Sequence, residues 1–152
     1  MLIYLDIDGV MVPASSWRKL EILGDGFPEF SSKATEALNK IISATNADLV
    51  LTTSHKHSFT IEGWIEIFKT RGVIVNKVSR LPENSNNISR KQELLEWFNA
   101  ENSTEKFIII DDDKSLNGLP ENLKNRLIQT SGSVGLTDYL ADEALQIVKF
   151  IL

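Results

Sequence analysis

The chain has 152 residues, 16 basic and 21 acidic side chains, a net charge of −5 and no cysteine. That length suits one compact domain with a real core and is short for two. The missing cysteines exclude disulfides and thiolate metal sites, and mild acidity gives no global pull toward nucleic acid.

The chain opens on L-I-Y-L-D-I-D-G-V. Leu2, Ile3, Tyr4 and Leu5 form an apolar, partly β-branched run that stops at Asp6, which predicts a buried strand. Asp8 and Gly9 follow. Side chains two apart on extended chain point the same way, so Asp6 and Asp8 share a side and repel. A hard, oxygen-seeking cation such as Mg²⁺ relieves that repulsion. D-x-D-G also opens calcium loops, but the twelfth position here is Trp17 instead of Glu, and no helix precedes it. The bland alternative is a strand followed by an acidic turn.

Residues 10–30 mix aromatics with Pro13, Gly24, Gly26 and Pro28, without helical period, and predict a short flap at about 11–30. Ser31 or Ser32 caps a helix with Ala34, Leu38, Ile41 and Ile42 on its inner face and Asn46 at its end. A second strand, from Asp48 to Leu51, ends in Thr52, Thr53 and Ser54. Thr60 caps a helix with Ile61, Trp64, Ile65 and Phe68 inward, and Gly72 stops it. A third strand is expected at 73–75 and a polar loop at 81–89. Arg90 and Lys91 enter a helix with Leu94, Leu95 and Phe98 inward. A fourth strand, 107–110, ends in Asp111, Asp112 and Asp113. A fifth covers 126–129. Thr137 caps the last helix, with Ala144, Leu145 and Val148 facing the core. Alternating strands and helices predict an α/β fold, a three-layer α/β/α sandwich around a mostly parallel, Rossmann-like sheet, in a single domain spanning 1–152. No apolar run spans a membrane, and no signal peptide or internal repeat is evident, so a cytoplasmic protein is expected.

In a parallel sheet the ends of the first, second and fourth strands lie on one edge, the edge at which ligands bind. That brings Asp6 and Asp8, Thr52 and Thr53, and Asp111 and Asp112 together, with Lys91 reaching in from a helix start. Carboxylates, a hydroxyl and an amine suit a phosphoryl group held with Mg²⁺: carboxylates for the metal, hydroxyl and amine for phosphate oxygens.

These parts, in this order, resemble the four motifs of the haloacid dehalogenase-like (HAD) phosphatase superfamily: D-I-D-G-V, L-T-T-S, Lys91 and I-I-I-D-D-D. G-L-T-D before the last helix is further similar to a group of small, RNA-repair-like HAD domains. The resemblance implies a fold without a large cap domain. It implies Asp6 as nucleophile, forming an aspartyl phosphate, and Asp8 as the acid and then the base. Thr53, or Thr52, would bind the phosphoryl oxygens, with Lys91 pairing with the same oxygens. Mg²⁺ would be held by Asp6, the Asp8 carbonyl and Asp112, with Asp111 in support. Gly9 would allow the tight turn beside the metal.

The expected activity is Mg²⁺-dependent hydrolysis of a phosphate monoester. A missing cap implies an open site, which suits terminal phosphates of nucleic acids, nucleotides or phosphoproteins; composition gives no oligomeric state. Two rivals stand beside it. A catalytically silent HAD domain would bind and not hydrolyse. A phospho-accepting receiver domain gathers similar residues but places its acidic pair, accepting Asp and Lys in a different chain order. Lys91 also reads as a surface lysine, with Arg90 beside it able to do similar work. His55 and His57 lack the third soft ligand of a metal site, and a substrate contact suits His55 better. Trp64, Trp97 and Phe98 read as core. Trp17 and Phe27 read as packing under the flap or as a groove wall.

Overall fold

The run Leu2–Leu5 becomes β1, the middle strand of a five-stranded, all-parallel sheet with β2 (Asp48–Leu51), β3 (Val78–Arg80), β4 (Phe107–Asp111) and β5 (Leu127–Gln129) in the order β3-β2-β1-β4-β5. The structure is a computed structural model that describes residues 1–14, 20–101 and 104–151. Leu5 lies opposite Leu51 on one side and Ile110 on the other, so three strand tips end level. The strand order reverses at β1, between β2 and β4. A crevice opens at such a point because the connections leave toward opposite faces.

A parallel sheet must be covered on both faces, and the period of two along the strands supplies two apolar faces. Ile3, Leu5, Leu49, Leu51, Ile108 and Ile110 pack under α1 (Ser32–Thr45), α2 (Ile61–Thr70) and α5 (Asp138–Phe150). Tyr4, Val50 and Ile109 pack under α3 (Arg90–Ala100) and α4 (Glu121–Lys124), with a 3₁₀ turn at Lys114–Gly118. Fully burying a side chain such as Phe68 contributes roughly 1.5–3 kcal/mol. The larger cluster holds Trp64, Phe68, Ile41 and Leu38, and the smaller one takes in Trp97 and Phe98 at its margin.

The caps fall where hydroxyls precede apolar periods. Ser31, Thr60, Ser89 and Thr137 each accept a hydrogen bond from a backbone N–H of the first turn. Asn46 closes α1 in the left-handed region, at φ 54.

The third strand differs from expectation. It forms at Val78–Arg80, and 73–75 does not join the ladder. The Val73 N–H donates to Phe68 O at the end of α2, while Val73 and Val75 are buried and Ile74 is 66% exposed. An alternation made by packing against a helix end thus imitates a strand. The 3₁₀ turn and α4 also fill a stretch with no predicted element.

Of the flap, residues 20–30 form a small hairpin closed by the Ile22–Pro28 bridge. Arg71, at the end of α2, fastens it. Its guanidinium donates to both carboxylate oxygens of Asp25 and to the carbonyls of Phe27 and Pro28, and it lies over the rings of Phe27 and Phe30. Phe27 is packed, 5% exposed, against Phe59 and Trp64; Trp17 lies outside the described residues. No large cap is present among the described residues, and none of their helices is long and apolar enough to cross a membrane.

Candidate active site

The β1 tip is held by its neighbours. The Asp6 N–H donates to Ile110 O, extending the ladder one residue past the strand, and the Thr52 N–H donates to Leu5 O. The chain then turns sharply: the carbonyl of Ile7 accepts from the N–H groups of Val10, Met11 and Val12. Gly9 makes this possible at φ +80, a region costly for other residues. Buried Thr130 fixes the turn from β5, its Oγ1 donating to Gly9 O at 2.7 Å.

The β2 tip is equally fixed. Thr52 and Thr53 are fully buried. The loop beyond them is tied down at the Lys56 carbonyl by Trp64 Nε1 and Arg80 Nη1, which also reaches Phe59 O. The His55 N–H donates to Thr53 Oγ1 at 3.3 Å. The His55 ring reaches back over the β1 turn, with Nε2 at 2.8 Å from Asp8 Oδ2.

Asp6, Asp111 and Asp112 each bring a carboxylate oxygen within 4.8 Å of the others. Asp111, fully buried, is already engaged: Oδ1 accepts from the Asp113 N–H at 3.0 Å and Oδ2 from Arg90 Nη1 at 2.6 Å. Asp112 sits in a niche made by two missing side chains. A Cβ on Gly9 would collide with its carboxylate, and one on Gly132 would come within 2.9 Å of Oδ2.

The cation at these carboxylates is Arg90. Nη1 also lies 3.7 Å from Asp6 Oδ1 and 3.3 Å from Thr52 Oγ1. Lys91, the residue the motif order singled out, points elsewhere. Its ammonium lies 3.0 Å from where a Cβ on Gly118 would stand, against the Lys114–Gly118 turn. Successive helical residues diverge by about 100°, so Arg90 and Lys91 cannot both face the same crevice. Behind Arg90, Glu93 accepts from Lys56 Nζ at 2.9 Å and lies 3.4 Å from Arg90 Nε. The result is a chain of alternating charge, buried at Asp6, Asp111 and Lys56 and half-buried at Arg90 and Glu93.

Burial and the neighbouring Asp111 carboxylate push Asp6 up to about 9, against the pull of Arg90. Burial raises Asp111 as well, with Arg90 opposing. Burial works to lower Arg90, yet the carboxylates of Asp111, Asp6 and Glu93 overcome it and leave it raised. One guanidinium therefore does not neutralise this cluster. An all-oxygen donor set with surplus negative charge fits a hard divalent cation. Asp6, Asp111 and Asp112 are the carboxylates that could hold it, and Asp6 and Asp112 are the two of these not already bonded to Arg90 Nη1 and the Asp113 N–H.

Asp8 differs from the cluster: its side chain is 57% exposed and its partner is His55. His57 is bound to Leu81 O, and neither histidine joins a metal-ligating group among the described residues. An open groove of about 600 Å³ runs past Ser54, Asn87, Arg90 and Asp113. A hollow of about 510 Å³ at the opposite end of the strands, by Tyr4, Trp97 and Phe107, lies away from them.

Residue types and strand ends foretell Asp6, Thr53, Asp111 and Asp112 at one edge. Arg90 stood in the sequence as the alternative to Lys91, while its link through Glu93 to Lys56 was missed, as were Thr130 and the Gly132 niche. Only the basic residues at positions 56 and 90 left any signal, and it did not say which way they point.

The model of one protein family, described as the HAD domain in Swiss Army Knife RNA repair proteins, matches residues 2–141. Comparison with curated proteins and with solved structures gave no match.

Proposed function

The chain belongs to the family of HAD domains in Swiss Army Knife RNA repair proteins, a family of hydrolase type, and on that premise we propose that it is a Mg²⁺-dependent phosphatase acting through an aspartyl phosphate. What supports this reading is the approach of the Asp6 and Asp112 carboxylates, with Arg90 Nη1 3.7 Å from Asp6 Oδ1, from three elements distant in sequence.

In the first step a carboxylate oxygen of Asp6 attacks phosphorus while the bond to the ester oxygen breaks, and Asp8 gives its proton to that oxygen. In the second, Asp8 takes a proton from water, whose oxygen attacks phosphorus. The bond to Asp6 breaks and phosphate leaves. Thr53 Oγ1 accepts from the His55 N–H, which leaves its own proton for a phosphoryl oxygen. Arg90 takes the part expected of Lys91: it faces Asp6 and sets positive charge beside the incoming phosphoryl group. Mg²⁺, held by Asp6, Asp112 and the Asp8 carbonyl, would supply the charge that keeps Asp6 ionised and offsets that of the substrate. Asp111 acts through Arg90 and the Asp113 turn.

The open front suits a terminal phosphate on an extended chain, and the family description favours an RNA end over a nucleotide or a phosphoprotein. The test is phosphate release, with and without Mg²⁺, from 3′- and 5′-phosphorylated oligoribonucleotides, nucleotides, phosphopeptides and an aryl phosphate. Mg²⁺-dependent release is expected, fastest on oligoribonucleotides. No release from any of them by the folded protein overturns the reading and leaves a binding domain.

A further inference from the structure

Asp8 carries the proton in this reaction, yet it is the least restrained carboxylate at the site. It lies on an exposed turn, its side chain 57% exposed. The contact that directs it is His55 Nε2 at 2.8 Å from Oδ2. His55 is itself oriented. Its N–H is tied to Thr53 Oγ1, and the edge of Phe27 meets its ring at 6.0 Å and 82°. Phe27 is in turn held by Phe59, Trp64 and Arg71. A rigid path thus runs from the core to one oxygen of Asp8.

We propose that His55 is a positioning residue for Asp8: by holding Oδ2 it presents Oδ1 to the leaving oxygen of a phosphate ester. This rests on the phosphatase reading above. An exposed pair of this kind adds little to stability, so its consequence is direction. Proton transfer needs the acid within hydrogen-bond reach of its target, and a misplacement of about 1 Å can cost on the order of 100-fold in rate. In chemical terms, the Oδ1–H bond of Asp8 breaks as the phosphorus–oxygen bond breaks, and the proton ends on the departing oxygen. An alkoxide leaves poorly without that proton. A nitrophenolate leaves without help.

The leaving group therefore separates positioning from general damage. His55→Ala, His55→Gln and wild type are compared on an alkyl phosphate, glycerol 2-phosphate, and on p-nitrophenyl phosphate, with kcat and KM measured for each. His55→Ala should lower kcat/KM, which reports only the steps up to departure of the leaving group, by about tenfold or more on the alkyl ester and by less than about threefold on the aryl ester. His55→Gln, whose amide can still hydrogen-bond to Asp8, should recover most of the alkyl rate.

Equal losses on both esters, or an unchanged alkyl rate, overturn the proposal while wild-type hydrolysis leaves the phosphatase reading intact. A rise in KM of equal size on both esters makes His55 a substrate contact and overturns it too. If wild type hydrolyses neither ester, the phosphatase reading falls and takes this one with it. A second measurement needs no turnover: in metal-free protein the imidazole ¹⁵N signals of His55 should change in Asp8→Asn, and identical signals refute the contact.

Discussion

The Asp6→Asn change should make the metal-free protein more stable while removing its catalysis. Asp6 is 5% exposed, and burial with the Asp111 carboxylate raises it from an ordinary 3.8 to about 9. A group raised by folding contributes its full stability below its unfolded pKa and loses it as pH climbs to the folded value. Each pH unit in that window costs about 1.4 kcal/mol. At neutral pH the metal-free fold has thus given up on the order of 4 kcal/mol. Asparagine keeps the shape and drops the charge, so it should recover about 2–4 kcal/mol at pH 7 and nothing at pH 3.5. Urea denaturation in chelator at pH 3.5, 5, 7 and 9 measures this directly. The gap between variant and wild type should widen steadily with pH, and saturating Mg²⁺ should narrow it by stabilising wild type more. A variant less stable than wild type at pH 7 without metal would refute the reasoning, because the carboxylate cluster would then not be short of positive charge.

Three further outcomes follow from the same geometry. Arg90→Met strips Asp111 and Asp6 of their cation and should cost about 3–5 kcal/mol by thermal or urea unfolding, along with nearly all activity, whereas Lys91→Met should keep activity within about threefold of wild type. Replacing Asp112 with Asn should raise the Mg²⁺ concentration needed for half-maximal rate by more than about tenfold, read from a metal titration of activity; an unchanged requirement would shift the ligand role to Asp111. Gly9→Ala forces a side chain into the left-handed region and into the Asp112 carboxylate, and should cost about 1–3 kcal/mol with a weakened metal requirement curve, measured by unfolding and by the same titration.

The sheet was legible because its strands alternate with capped, periodic helices and end in polar residues of a consistent kind. Leu2–Leu5, Asp48–Leu51 and Phe107–Asp111 are apolar runs with abrupt stops, and a stop is a local signal. The misplaced third strand shows the limit of that signal. Val73 and Val75 alternate with Ile74 as strand residues do, but the pairing partner of β2 begins only at Val78. Periodicity reports burial, and burial against a helix end looks the same as burial in a sheet. The choice between Arg90 and Lys91 depended on helix phase, which one residue's shift in the cap reverses. The niche for Asp112 joins Gly9 to Gly132, and the grip on Asp8 comes from a loop after another strand. Contacts so distant in sequence leave no pattern in either partner's neighbourhood.

Arg71 welds the Asp25–Pro28 hairpin to the last turn of α2 through a side chain only 2% exposed. A hairpin so fastened is a doorframe, not a door. The hairpin would then hold Phe27 in one place against Phe59, Trp64 and the His55 ring, as a fixed buttress for the loop that follows β2.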